Sequence, residues 1–258
     1  MVSKPMHLVQ NVKRGPYATL TLSGEVISSH PGQFYMLRGD WGLSPLLGRP
    51  ISILGEDLAR SEVRFLVKAV GEGSRLLHAL KAGDVVHATG PLGNHFPLSG
   101  WDPQSPVILV AGGVGVPPMV YLARRLSENG AGIIFCQGAR TKEDLLLLDE
   151  LEEIGVTPHL ATDDGSAGHG GLVTELLAKE LDYQPGAVFA CGPEAMLRAV
   201  AKLCRGKVPC YVSLEAAMGC GYGVCLSCVT RVKEADKVVN RRVCKEGPVF
   251  EAEALSWL

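Results

Sequence analysis

No stretch of this 258-residue chain reaches the roughly 18 to 20 consecutive apolar residues that a membrane-spanning helix needs. The opening MVSKPMHLVQ lacks the unbroken apolar run of an export signal. Both absences lead to the expectation of a cytoplasmic protein with no membrane partner. Nor is there an excess of one charge: 25 basic and 27 acidic residues leave a formal net charge of -2. No long-range field therefore draws in nucleic acid. Fixed-period repeats and low-complexity tracts are also missing. Apolar residues are plentiful at 47% of the chain, enough for two or three compact units.

The hydrophobic pattern divides the chain into three zones, 1–100, 101–206 and 207–258. In the first, HLVQNV, YATLTLS, QFYMLR, RPISILG, VRFLVKAV and DVVHATG have strand character between Gly, Pro, Ser and Asp punctuation, and only GSRLLHALKAG looks helical. That pattern predicts a small antiparallel barrel. In the second, VILVAGG, GIIFCQGA and AVFACG alternate with the helical PPMVYLARRLSEN, KEDLLLLDELEEIG, VTELLAKEL and PEAMLRAVAKLC. Such alternation predicts an α/β domain with a parallel sheet and pocket loops at the C-terminal strand ends. The third zone is too short for a large core of its own and calls for a staple such as a metal site.

Four of the eight cysteines fall in that last zone, spaced Cys220-x4-Cys225-x2-Cys228-x15-Cys244. In a reducing compartment, clustered thiols turn toward metal or redox chemistry rather than structural disulfides. C-x4-C-x2-C with a distant fourth cysteine is the plant-type [2Fe-2S] pattern. Gly219, Gly221 and Gly223 suit it, because glycine permits positive φ and lets N–H groups approach the sulfurs. A zinc site is the alternative, but four-cysteine zinc sites usually carry two short knuckles and Cys244 stands alone. A disulfide pair is the third reading. Cys136 and Cys204 sit in apolar runs as small hydrophobes, and Cys210 has no evident partner in the sequence.

Two further constellations stand out. Arg49-Pro50-Ile51-Ser52 enters a strand, where a guanidinium and a hydroxyl can face one ligand; a solvated strand-end charge is the plainer reading. Downstream, VRFLVKAV runs through Gly71-Glu72-Gly73-Ser74 into a helix, where glycines admit an anion to free N–H groups. An ordinary turn with Ser74 as N-cap is the alternative. In the second zone a strand leads into Gly112, Gly113 and Gly115 and a helix opening at Pro117 or Pro118, an arrangement that brings a dinucleotide's phosphates near a helix start. The pattern is G-G-x-G-x-P-P rather than G-x-G-x-x-G, and a ligand-free turn remains open. AVFACGPEAML places Cys191, Gly192 and Pro193 at another strand end; Cys191 reads either as a site residue or as a buried thiol.

RPIS followed by G-x-G-S resembles the flavin domain of the ferredoxin-reductase superfamily. The resemblance implies that Arg49, Pro50, Ile51 and Ser52 line the isoalloxazine of FAD, that Leu66, Val67 and Lys68 join them, and that Gly73 and Ser74 hold the pyrophosphate. It likewise implies a nicotinamide beside Cys191-Gly192-Pro193. Over nearly the whole chain, RPIS, TDDGSAGHGGLVT, CGPEAM, SLEAAMGCGYGVCLSC and RRVCKEGPVF resemble the electron-transfer subunits of NAD-dependent dihydroorotate dehydrogenase. Two departures are noted: Gly170 or Gly171 where that family often has Lys, and Tyr222 where it has Ala or Ile.

The chemistry agrees. NADH exchanges a hydride and a [2Fe-2S] cluster single electrons, so a flavin must mediate. No residue set in the chain would oxidise a carbon substrate, and no catalytic residue is assigned. The resemblance implies a partner, an FMN-containing dihydroorotate dehydrogenase catalytic subunit, in a heterotetramer of two of each chain, serving pyrimidine biosynthesis with NAD as substrate. Rival readings are a reductase subunit of a hydrogenase, transhydrogenase or oxygenase system, and a non-catalytic redox sensor or metal-stapled scaffold. Arg140, after the second strand of the α/β zone, can meet a 2′-phosphate, although Lys142 and Glu143 make a solvated helix start the simpler reading.

Overall fold

The computed structural model describes residues 3–257. Six strands, β1 (Lys4–Arg14), β2 (Tyr17–Ser23), β3 (Phe34–Gly39), β4 (Arg49–Asp57), β5 (Glu62–Lys68) and β6 (Val85–Leu92), close into an antiparallel barrel in the order β1-β2-β5-β4-β3-β6. One helix, α1 (Glu72–Ala79), lies between β5 and β6. Closure leaves no open sheet edge, and Met6, Leu20, Leu37, Ile53, Phe65 and Val86 fill the interior.

The second unit alternates strands and helices: β7 (Val107–Gly112), α2 (Val116–Glu128), β8 (Ile133–Ala139), α3 (Leu148–Glu153), β9 (His159–Thr162), β10 (His169–Gly170), α4 (Val173–Glu180), β11 (Ala187–Cys191), α5 (Glu194–Cys204) and β12 (Cys210–Ser213). All six residues of β7 are buried, as expected of a central parallel strand covered on both faces. After β12 come the hairpin β13 (Val229–Glu234) and β14 (Lys237–Arg242), then β15 (Val249–Glu251). The sheet order is β10-β9-β8-β7-β11-β12-β15, parallel throughout except for β15. The third sequence zone thus contributes two strands to the α/β sheet, and its hairpin forms a separate two-stranded sheet bridged to the C-terminal segment at Val232 and Leu255.

KEDLLLLDELEEIG, expected as one helix, is broken. A 3-10 turn at Lys142–Asp144 is followed by an extended stretch, Leu147 turns left-handed at φ 59°, and only Leu148–Glu153 is α-helical. The reason is tertiary. Leu145 and Leu146, both buried, lie in the non-helical stretch ahead of Leu147. Their carbonyls are satisfied from outside the segment: Arg14 donates to Leu145 O at 2.9 Å and Gln137 donates to Leu146 O at 2.9 Å.

The units are tied at several points. Tyr121 of α2 reaches the barrel core, where its hydroxyl donates to Ser29 O at 3.0 Å, and Ser29 Oγ donates to Glu56 at 2.5 Å. Tyr17 donates to Asp144 at 2.5 Å, and Arg64 of β5 pairs with Glu150 of α3. Asn94, just past β6, clamps the C-terminal segment: its Nδ2 donates to Glu246 O at 3.0 Å and Val249 O at 2.8 Å, and its Oδ1 accepts from Val249 N at 2.9 Å. At about 1 kcal/mol for each of three hydrogen bonds, Asn94→Ala is expected to cost about 3 kcal/mol of stability. The measurement is the urea midpoint at unchanged slope; an unmoved midpoint would show that the clamp contributes nothing.

Candidate redox centres

The cysteine loop spans the gap between β12 and β13. Cys228 lies just before β13 and Cys244 just after β14, so the root of the hairpin brings them together. Val243 N donates to Cys228 O at 2.8 Å and Cys244 N to Cys228 Sγ at 3.4 Å. The other two meet within the loop itself: Cys220 N donates to Cys225 Sγ and Val224 N to Cys220 Sγ, both at 3.4 Å. Ser227 Oγ stands 3.2 Å from Cys225 Sγ. Cys228 and Cys244 are buried, Cys220 is half-buried and Cys225 exposed, and none is in a disulfide.

The donor set therefore consists of two cysteine pairs. Among the described residues no three His, Cys, Asp or Glu side chains converge as ligands of a single ion. Two thiolates per iron is what a [2Fe-2S] cluster takes, so the four residues fit that group better than a mononuclear zinc. The electrostatics agree. Hydrogen bonds from the Ser227 hydroxyl and backbone lower the Cys225 thiol to about 6. Burial, then the neighbouring Cys228 thiol, pushes Cys244 up to about 12. A bound cation removes that cost of crowding thiolates.

The loop is seated on the barrel. Gly221, at φ 83°, packs on β3, and a Cβ there would lie 2.9 Å from Met36 Sδ and 3.3 Å from Leu92 Cδ1. Met36 is the register partner of Pro50 on β4. The cysteine loop at Gly221 therefore packs on the strand that pairs with the Arg49-Pro50-Ile51-Ser52 strand.

Arg49 and Gly73, 24 residues apart in sequence, come together. A Cβ on Gly73 would lie 2.7 Å from Arg49 Cζ, so the guanidinium lies across the start of α1. First-turn amides have no acceptor within a helix, so charge and N–H donors face one place, as an anionic phosphate requires. The Ser74 hydroxyl is occupied. It accepts from Val70 N and Gly71 N and donates to Gly71 O, each at 3.0 Å, which fixes the turn. The N-cap position belongs to Gly71. Pro50, Ile51 and Ser52 are half-buried along β4. Leu66 packs toward the α/β unit, Val67 into the barrel core, and the Lys68 ammonium lies 5.1 Å above the Tyr17 ring. Val67 can thus offer a ligand only its backbone.

Gly112, Gly113 and Gly115 meet Cys191, Gly192 and Pro193 at the adjacent C-terminal ends of β7 and β11. Those are the strands at which the order reverses, so the crevice is the switch point of the sheet. The approach is close. A Cβ on Gly115 would lie 2.5 Å from Cys191 C and 2.6 Å from Gly192 N, and one on Gly192 3.0 Å from Gly112 Cα. Gly113, at φ 52°, has open space where a Cβ would stand. Cys191 is 2% exposed, and burial, then the nearby Glu215, raises its thiol. Glu215, unassigned by sequence reasoning, follows β12. It keeps an exposed surface but is crowded on its other sides, and desolvation holds its carboxyl above the usual range. Its only sequence signal is its place in SLEAAMGC, directly after a strand. Arg140 is exposed beyond β8, with its carbonyl accepting from Asp164 N at 3.2 Å. Cys136 and Cys204 are core residues, and Cys210 lies beside the Cys204 thiol.

A closed barrel with an arginine set across a helix start, a parallel sheet with a glycine crevice, and a four-cysteine loop touching the barrel define an iron–sulfur flavoprotein reductase. Comparison with known proteins is specific. A family model described as the iron-sulfur cluster binding domain of dihydroorotate dehydrogenase B matches residues 215–256, and one described as an oxidoreductase NAD-binding domain matches 109–202. The dihydroorotate dehydrogenase B (NAD(+)) electron transfer subunit of Bacillus velezensis is 40% identical over 240 residues, covering 92% of each chain. That of Clostridium acetobutylicum is 42% identical over 233 residues, covering 90% of this chain and 87% of its own. A chain of the solved NADH-dependent reduced ferredoxin-NADP oxidoreductase aligns at TM-score 0.84 and 30% identity, covering 98% of this chain and 90% of that one. The chain belongs to the family of dihydroorotate dehydrogenase B (NAD(+)) electron transfer subunits.

Gly115→Ala drives a Cβ into backbone atoms of the opposite loop. It is expected to raise KM for NADH at least tenfold, about 1.4 kcal/mol, in NADH-to-dye reduction, with flavin and cluster spectra unchanged. A parental KM would show that the crevice does not receive the dinucleotide.

Proposed function

We propose that this chain passes electrons from an FMN-containing dihydroorotate dehydrogenase catalytic subunit through a [2Fe-2S] cluster and FAD to NAD+, in the cytoplasm, as a step of pyrimidine biosynthesis. When bound, the flavin exchanges a hydride with nicotinamide and single electrons with the cluster. Cys220, Cys225, Cys228 and Cys244 hold the cluster. Arg49 neutralises the FAD pyrophosphate, which the amides of Gly73 and Ser74 receive, while Pro50, Ile51 and Ser52 line the ring with Leu66, Lys68 and the Val67 backbone. Gly112, Gly113 and Gly115 admit the dinucleotide, and Cys191, Gly192 and Pro193 flank its nicotinamide. The zones 1–100, 101–206 and 207–258 divide this labour into flavin, nicotinamide and cluster binding.

The observation that carries the reading is the contact of Gly221 with Met36, which puts the cysteine loop one strand from Pro50. Around Cys225, Tyr222, Val224 and Leu226 are exposed at 44%, 68% and 61%. An apolar rim at the outer thiol is where the catalytic subunit docks, two of each chain forming a heterotetramer. Among the described residues no helix is long and apolar enough to cross a membrane. A second reading, a transhydrogenase-type reductase subunit, is favoured by the 98% coverage of this chain by the ferredoxin-NADP oxidoreductase structure.

The deciding experiment mixes the anaerobically purified chain with an FMN-bearing catalytic subunit and follows dihydroorotate-dependent NADH formation. Production that needs both chains supports the first reading; flavin and cluster present without NADH formation transfers support to the second. Cys225→Ser is expected to abolish cluster absorption and coupled NADH formation while leaving FAD bound and NADH-to-dye reduction intact. Simultaneous loss of all of these would make the loop structural. Arg49→Ala is expected to lower flavin retention at least tenfold, read from the flavin-to-protein ratio after gel filtration; parental retention would refute its role.

A further inference from the structure

We propose that Ser227 sets the reduction potential of the cluster by hydrogen-bonding the sulfur of Cys225. This rests on the reading that Cys225 is a cluster ligand. The Ser227 Oγ stands 3.2 Å from Cys225 Sγ and accepts a hydrogen bond from Gly219 N at 3.0 Å. A hydroxyl has one proton and two lone pairs. The Gly219 amide occupies a lone pair and so orients the group. A metal-bound thiolate has no proton to give, so in the loaded protein the hydroxyl is the donor and the sulfur the acceptor.

The other close contacts to these sulfurs come from the backbone: Cys220 N to Cys225, Val224 N to Cys220 and Cys244 N to Cys228, each at 3.4 Å. They follow from the course of the chain and no side-chain substitution removes them. Among the described residues Ser227 brings the one side-chain hydroxyl that reaches a thiol of the set. Gly219 keeps its place open, because a Cβ there would lie 3.2 Å from Cys225 Sγ and 3.4 Å from Ser227 Oγ. Reduction adds one negative charge to the iron–sulfur unit. A donor to a coordinated sulfur stabilises the more negative state and raises the potential. Ser227 therefore makes the cluster a readier acceptor from the partner and a weaker donor toward the flavin, biasing the direction of flow.

The test uses the full chain, purified anaerobically with its cofactors, as parent, Ser227→Ala and Ser227→Thr. Potentiometric titration followed by electron paramagnetic resonance gives the midpoint, and electron–nuclear double resonance in H2O and D2O reads exchangeable protons at the cluster. Ser227→Ala should show a more negative midpoint and lose one exchangeable-proton coupling, while Ser227→Thr keeps both parental values. A parental midpoint in Ser227→Ala overturns the proposal. Loss of the cluster in Ala with retention in Thr would assign the hydroxyl to loop assembly and also overturns it. A parent without any [2Fe-2S] signal would instead refute the ligand assignment, and the proposal with it.

Discussion

The contact of Gly221 with Met36 is the constraint on which the arrangement depends. A cysteine loop can approach a flavin-domain strand only as closely as its own side chains permit, and at this position a Cβ would meet Met36 and Leu92 at or inside van der Waals distance. With hydrogen in its place, the loop packs on Met36 of β3, the register partner of Pro50. The neighbouring positive φ values at Gly221 and Gly223 let the chain turn its amides toward the sulfurs in the same few residues. One small residue type thus satisfies two requirements, proximity to the barrel and donors for a negatively charged group.

That proximity matters only if the units keep their relation. Tyr121 inserts α2 into the barrel core, while Asp144 and Glu150 bind the opposite side of the interface through Tyr17 and Arg64. Asn94 holds the third segment to the end of β6. The β7–β11 glycine crevice, the Arg49–Gly73 approach and the cysteine pairs are consequently fixed relative to one another by buried and half-buried side chains from sequence-distant parts of the chain. The chemistry needs such a frame, since hydride transfer demands near contact of the reacting atoms.

The sequence made the barrel legible because its strands are separated by Gly, Pro and Asp, and all six segments read as strands lie within or overlap the six observed. The glycine motifs were equally legible: Gly112, Gly115 and Gly192 stand where a Cβ has no room, which is a local demand that leaves a local trace. The cysteine spacing was informative for the same reason. What escaped depends on long-range pairing. The strands β9, β12 and β15 are three or four residues long, and β13 and β14 are rich in charge. The break in KEDLLLLDELEEIG comes from Arg14 and Gln137, residues outside the segment. Glu215, Met36 and Asn94 act through what the fold brings beside them, and nothing in their immediate neighbours announces it.

The hairpin β13–β14 begins one residue after Cys228 and ends two residues before Cys244, closing through a turn at Ala235 and Asp236. Its pairing, not its length, determines where the two cysteines meet. Beyond Val232, which is bridged to Leu255, the tip of the hairpin is therefore an adjustable arm on a fixed hinge. Adding one residue to each strand would extend the tip by about 3.4 Å while preserving the pairing at the root. Evolution can reshape the tip for different partners, and an engineer can graft a recognition sequence there, without redrawing the metal site.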